Sequence, residues 1–129
     1  MILDTSALVA VLYREPEADR YIQIIHDAGH CLISAANFLE LSMVVETQQG
    51  AEGLRECDMF LRRADIVIEP VSVDHAYLAR QAFHDFGKGR HPAGLNFGDC
   101  FSYALAKATR EPLLFKGEDF KKTDIVAAI

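Results

Sequence analysis

Four short apolar runs, Met-Ile-Leu at residues 1–3, Cys-Leu-Ile at 31–33, Ile-Val-Ile at 66–68 and Pro-Leu-Leu-Phe at 112–115, recur along the chain with longer stretches of helical spacing between them. That alternation is the strongest constraint on the fold. Apolar runs of this length, bounded by turn signals, read as strands buried on both faces. Strands that alternate with helices pair in parallel, and right-handed crossovers lay the helices on both sides of the sheet. The expectation is an α/β fold of three layers, α/β/α, with a mainly parallel central sheet.

Between the runs the helix signals are local. Asp4, Thr5 and Ser6 supply capping groups before apolar residues 7–13. Pro16 opens a second stretch in which Ala18, Tyr21, Ile22, Ile24, Ile25 and Ala28 share a face before Gly29 stops it. Ser34 caps a third, with Phe38, Leu41, Val44 and Val45 as its buried stripe, and Gly50 ends it. A further helix is expected at about 53–63, and another, capped by Asp74, carries Leu78, Ala79, Ala82, Phe83 and Phe86. Residues 87–98, GKGRHPAGLNFG, hold four glycines and a proline and read as a loop. A helix from about 99 to 109 follows, and a last short strand is expected to include Ile125 and Val126.

With 129 residues, half of them hydrophobic, the chain can bury one substantial core, so residues 1–129 are expected to form one domain. No apolar run reaches the roughly 20 residues that span a bilayer, and Asp4 interrupts an opening that otherwise suggests a signal peptide. Cys31, Cys57 and Cys100 show no C-x-x-C spacing and read as reduced thiols of a cytoplasmic protein. The formal charge of −6 argues against a generic nucleic-acid binder with a basic surface. Any nucleic-acid role must then depend on local features, and an acidic chain can still handle phosphate if some of its carboxylates hold metal ions that reverse the local sign.

Acidic residues do stand at the borders of the core segments: Asp4 after the first strand, Glu40 within an apolar helix, Asp99 where a helix opens, and Glu118 and Asp119 after a late strand. In a doubly wound sheet, functional groups gather beyond the carboxyl ends of the strands, where these residues can converge. Converging carboxylates require a proton or a cation between them, and an oxygen-only set suits Mg2+ or Mn2+ rather than zinc. Each also has a plain structural reading. Asp4 and Asp99 serve equally well as helix caps, Glu40 as a solvated helix edge, and Glu118 and Asp119 as turn residues.

Taken in order, MILDTSALVAVL, ANFLELSMVV, LNFGDCFSYALAKA and LLFKGEDFKKTDI resemble the signature of the PIN-domain family across almost the whole chain. The compact length most resembles its VapC-type toxins. The resemblance implies an α/β/α fold, Mg2+-dependent endoribonuclease activity and a small antitoxin partner that occupies the active site, with a homodimer as the expected assembly. Carried across, Asp4, Glu40 and Asp99 match the first three acidic positions. The fourth is Glu118 or Asp119, because the usual segment is replaced by FKGEDF, and Asp119 beside Phe120 is preferred. Thr5 and Ser6 match the small hydroxyl residues after the first Asp and stand as groups for a metal ligand, a water or a phosphate. The implied roles give Asp4 and Asp99 the Mg2+ and give Glu40 and Asp119 a second ion or the attacking water.

Lys88, Arg90 and His91, just before Asp99, are candidates to hold the RNA backbone together with Arg14 and Lys116. A solvated glycine-rich loop explains the first three equally well. The apolar residues between Ala18 and Met59 offer a seat for an antitoxin segment or a second toxin chain, and a hydrophobic core explains most of them too. The rival reading is an inactive PIN fold that binds RNA or protein. G-x-S-x-G and the phosphate loop G-x-x-x-x-G-K-[ST] are both absent.

Overall fold

The computed structural model describes residues 1–129. Its elements alternate as β1 (Ile2–Leu3), α1 (Thr5–Leu12), α2 (Ala18–Ala28), β2 (Cys31–Ser34), α3 (Ala35–Arg63), β3 (Ile66–Glu69), α4 (Val73–Phe86), α5 (Phe97–Thr109) and β4 (Leu113–Leu114), with a 3-10 turn at Asp119–Lys122. The strands form one sheet in the order β3-β2-β1-β4, parallel throughout. Ile2 pairs with Leu32 on one side and Leu113 on the other, and Cys31 to Ser34 run in register with Ile66 to Glu69.

Because successive side chains of a strand point to opposite faces, the sheet divides the core in two. Leu3, Cys31, Ile33, Ile66 and Leu114 pack with α1, α2 and α3 through residues such as Leu8, Ile25, Leu41 and Leu61. Ile2, Leu32, Leu113 and Phe115 pack with α4 and α5 through Ala79, Ala82, Tyr103 and Leu105. Each fully buried Leu or Ile contributes about 1.5–3 kcal/mol, so both helical layers are held by the apolar side chains of strands only two to four residues long.

The winding decides where a ligand can bind. From β1 the chain passes through α1 and α2 to the strand on one side, and from β3 it passes through α4 and α5 to the strand on β1's other side. The connections thus part between β1 and β4, and the cleft beyond the carboxyl ends of those strands is the place where such sheets bind ligands.

Several boundaries differ from the sequence reading. The helix expected to end at Gly50 and the one expected from residue 53 form a single element, kinked at Gly50 (φ 62°, ψ −151°), where only glycine is free of strain. Both halves bury residues in the same layer, Leu41 and Val45 before the kink and Cys57 and Leu61 after it. Pro16 lies before α2, which begins at Ala18. Ser72, not Asp74, caps α4 by accepting the His75 N–H, and Asp74 sits in the first turn. α5 begins at Phe97 with Asn96 as its cap, so Asp99 is its third residue. In place of a last strand there is one parallel bridge between Leu113 and Ala127.

Candidate active site

Asp4 follows β1 directly and caps α1, and its buried carboxylate has three donors. Oδ2 accepts the Ser6 N–H at 3.0 Å and the Ser6 hydroxyl at 2.6 Å. Oδ1 accepts the Ser102 hydroxyl at 2.5 Å. Ser6 Oγ in turn accepts the Lys116 N–H at 3.0 Å, which ties the segment after β4 to the same corner.

Glu40 lies in the second turn of α3. Its Oε1 accepts the Thr5 hydroxyl at 2.5 Å and a longer contact from Asn37 Nδ2 at 3.4 Å. Asn37 is fully buried and donates to the Gly98 carbonyl at 2.9 Å, which links α3 to the first turn of α5. The link is close: a Cβ at residue 98 would overlap the carboxylate of Glu40, so any residue other than glycine there would force that carboxylate to move. The Asn-Phe-Gly turn of the sequence is therefore a packing requirement as well as a helix start.

Asp99 completes a capping box. Its N–H donates to Asn96 Oδ1 at 2.9 Å, and its Oδ2 accepts the Asn96 N–H at 3.0 Å. Burial pushes its carboxyl pKa up to about 7, the charges of Asp4, Asp119 and Glu40 add to the rise, and the Asn96 N–H opposes it. Three carboxylates thus act on that of Asp99 at the carboxyl edge of the sheet. Asp119 opens the 3-10 turn and is exposed. Glu118 is also exposed, pairs with Lys121 at 2.9 Å and lines a cleft of about 440 Å³ with Glu17, Arg20, Tyr21 and Lys116; it contributes nothing to the shift of Asp99.

The basic candidates are dispersed. Lys116 Nζ sits between Glu15 (2.9 Å) and Glu17 (3.1 Å). Arg90 lays its guanidinium over the Phe83 ring at 5.3 Å. His91 meets the edge of Phe86 at 5.2 Å, and its Nδ1 accepts the Ala93 N–H, so this side chain braces its own loop. Lys88 is exposed, and Arg14 lines a groove between α1, α2 and the later half of α3.

Asn37 and Ser102 touch the cluster, although the sequence reading does not include them. The available signal is a polar residue one helical turn from each acid, three before Glu40 and three after Asp99, among apolar neighbours.

The donor set fits a hard divalent cation. Only oxygens face one another, and the raised pKa of Asp99 is what a desolvated anion cluster shows when no positive charge accompanies it. Asn37 Oδ1, buried and without a partner, is a further oxygen in the same corner. No three Asp, Glu, His or Cys side chains are gathered closely enough to hold a metal ion between them. An open arrangement suits Mg2+, which keeps several waters and takes one or two carboxylates.

A profile of the PIN domain matches residues 1–126. Over 126 residues the chain is 52% identical to ribonuclease VapC30 of Mycobacterium tuberculosis, covering 97% of this chain and 95% of that protein. Among solved structures it is similar to VapC20 of the same organism, described as a sarcin–ricin loop cleaving toxin, with a TM-score of 0.78 at 13% identity over 97% of this chain and 95% of the other. VapBC2 from Rickettsia felis, bound to a DNA fragment from its promoter, gives a TM-score of 0.77 at 20% identity, with 98% and 94% covered.

Proposed function

The chain belongs to the PIN-domain family, and on that premise we propose that it is an endoribonuclease of the VapC kind, the toxin of a toxin–antitoxin pair, and that its reaction depends on Mg2+. The observation that carries the metal dependence is the mutual charge of Asp4, Glu40, Asp99 and Asp119 around a half-buried carboxyl group. Bound there, Mg2+, or Mn2+ in its stead, would activate water and neutralise the charge that develops on the phosphate.

Asp4 and Asp99 are the residues we assign to hold the ion, and Glu40 and Asp119 would position a second ion or the attacking water. Thr5 keeps Glu40 from swinging away, and Ser6 does the same for Asp4, which leaves either hydroxyl close to a bound phosphate. Water attack with departure of the 3′ oxygen leaves a 5′-phosphate and a 3′-hydroxyl. Lys88 and Arg90 are the cations suited to the RNA backbone, with His91 shaping their loop. Lys116 would reach a phosphate only by leaving Glu15 and Glu17.

For the antitoxin, the groove of about 760 Å³ lined by Leu12, Ile22, Met59, Phe60 and Arg63 offers apolar walls with charged rims, the chemistry that seats an amphipathic segment. A second copy of the chain is best served by another face, where Leu39, Met43 and Phe97 stand exposed beside Glu40 and Gly98. No helix is long and apolar enough to cross a membrane, and we assign the protein to the cytoplasm. The test is cleavage of RNA by the purified chain with and without Mg2+, with Asp99→Asn as control. Cleavage that survives EDTA, or that Asp99→Asn leaves intact, would refute the metal assignment.

A further inference from the structure

Ser102 lies on α5, one turn beyond Asp99, and is completely buried. A serine or threonine inside a helix has a local option, the carbonyl four residues back, and Ser42 and Thr109 take it, donating to the Phe38 and Leu105 carbonyls at 2.8 Å. Ser102 does not. Its hydroxyl crosses to Asp4 Oδ1, 98 residues away in sequence.

An ionised carboxylate offers about four acceptor positions, two on each oxygen. On Asp4 both positions of Oδ2 are filled by Ser6, through its N–H and its hydroxyl, whose proton is directed there because Ser6 Oγ accepts the Lys116 N–H. Ser102 fills one position of Oδ1. One position remains. Without Ser102 the carboxylate would keep only the local contacts of Ser6 against the repulsion of Asp99.

We propose that Ser102 is a positioning residue of the cation site: by occupying one lone pair of Asp4 Oδ1 it leaves a single oriented acceptor for a divalent cation, and it couples β1 to the helix that carries Asp99. This rests on the metal reading of the acidic cluster given above. Outer hydrogen-bond partners of this kind change metal affinity by about 10–100-fold when removed.

The experiment is direct titration of Mn2+ into the purified full chain by calorimetry or by loss of the free-ion EPR signal, at one fixed pH, without RNA. Wild type should bind and Asp4→Asn should not. Ser102→Ala should weaken binding by about tenfold or more, and cleavage should recover substantially at saturating Mn2+, because the ligands themselves are untouched. Ser102→Cys, similar in size with a weaker donor, should lie between the two, and it carries the test alone if Ser102→Ala does not fold. A Mn2+ dissociation constant within about twofold of wild type in the folded variant, well short of the effect expected for a lost outer partner, would overturn the proposal whatever its melting temperature. A wild-type chain that binds no Mn2+ would instead overturn the metal reading beneath it.

Discussion

Replacing Asp99 with asparagine should stabilise the metal-free protein most above neutral pH and leave it almost unchanged only below about pH 4, where the carboxyl is protonated in the folded and the unfolded chain alike. The folded pKa of this carboxyl is about 7 against 3.8 for the free side chain, a rise of about 3 units. A raised pKa means the folded state binds the proton more tightly than the unfolded chain does. The stability this contributes is complete below pH 3.8 and drains away as the pH climbs to about 7. At about 1.36 kcal/mol per unit the full loss is about 4 kcal/mol, and solvent on the open side of the half-buried group reduces it to about 2 kcal/mol. The Asp99→Asn side chain would keep the shape and still accept the Asn96 N–H, but it carries no charge at any pH. For a domain of this length about 2 kcal/mol corresponds to roughly 8 °C in melting temperature.

Calorimetric or fluorescence melts in EDTA from about pH 3.5 to about pH 8, a span that covers both the free and the raised pKa, should therefore show two curves that meet at the acid end and part as pH rises to about 7, the variant higher. Mg2+ added at the alkaline end should raise the wild-type curve alone, since ligands that bind only the native state stabilise it. A constant gap across the range, or a wild type that melts higher than the variant at the alkaline end in EDTA, would refute the electrostatic reasoning.

Asp119→Asn should reduce cleavage more than Glu118→Gln, since of these two only Asp119 is among the charges that raise Asp99; the opposite order in a rate assay would move the fourth acidic position to Glu118. Gly98→Ala should lower cleavage by roughly 100-fold while the far-UV spectrum is retained, because the new methyl overlaps the Glu40 carboxylate and displaces it. Expression of the chain alone should slow bacterial growth, with relief by Asp99→Asn or by a co-expressed antitoxin. Normal growth with folded wild-type protein present would count against a toxin. Inhibition of the purified protein by the antitoxin should weaken at high Mg2+, as a basic side chain that pairs with Asp4, Glu40 and Asp99 competes with the cation.

The parts of the fold that are legible in the sequence are those set by local rules. The strands are visible because Ile2–Leu3, Cys31–Ser34 and Leu113–Leu114 are buried on both faces and so carry no polar alternation. Gly29 marks a helix end because it takes a left-handed conformation, φ 73°, that other residues avoid. The cap of α5 is harder to read because Asn96 and Asp99 cap reciprocally, and two capping residues three apart do not reveal which comes first without the backbone. Gly50 reads as an end because a break in local geometry looks the same whether or not the chain continues as helix beyond it. Tertiary packing of Cys57 and Leu61 into the same layer as Leu41 decides the matter.

The site divides along the same line. Asp4, Glu40 and Asp99 stand out because an acid at a strand end or on an apolar helix is conspicuous by itself. Ser102 and Asn37 carry only the faint signal of their helical spacing from Asp99 and Glu40, because their chemistry lies in partners 98 and 61 residues distant, Asp4 and the Gly98 carbonyl. Such contacts also explain how an acidic chain can keep like charges together at all. Each carboxylate is held from a different direction, Asp4 by Ser6 and Ser102, Glu40 by Thr5, Asp99 by the Asn96 N–H, so hydrogen bonds oppose part of the repulsion and what remains is a standing demand for positive charge. A divalent ion held there would offset two of those negative charges and present a positive centre to a phosphate, which would ease the approach of RNA to a protein whose formal charge is −6.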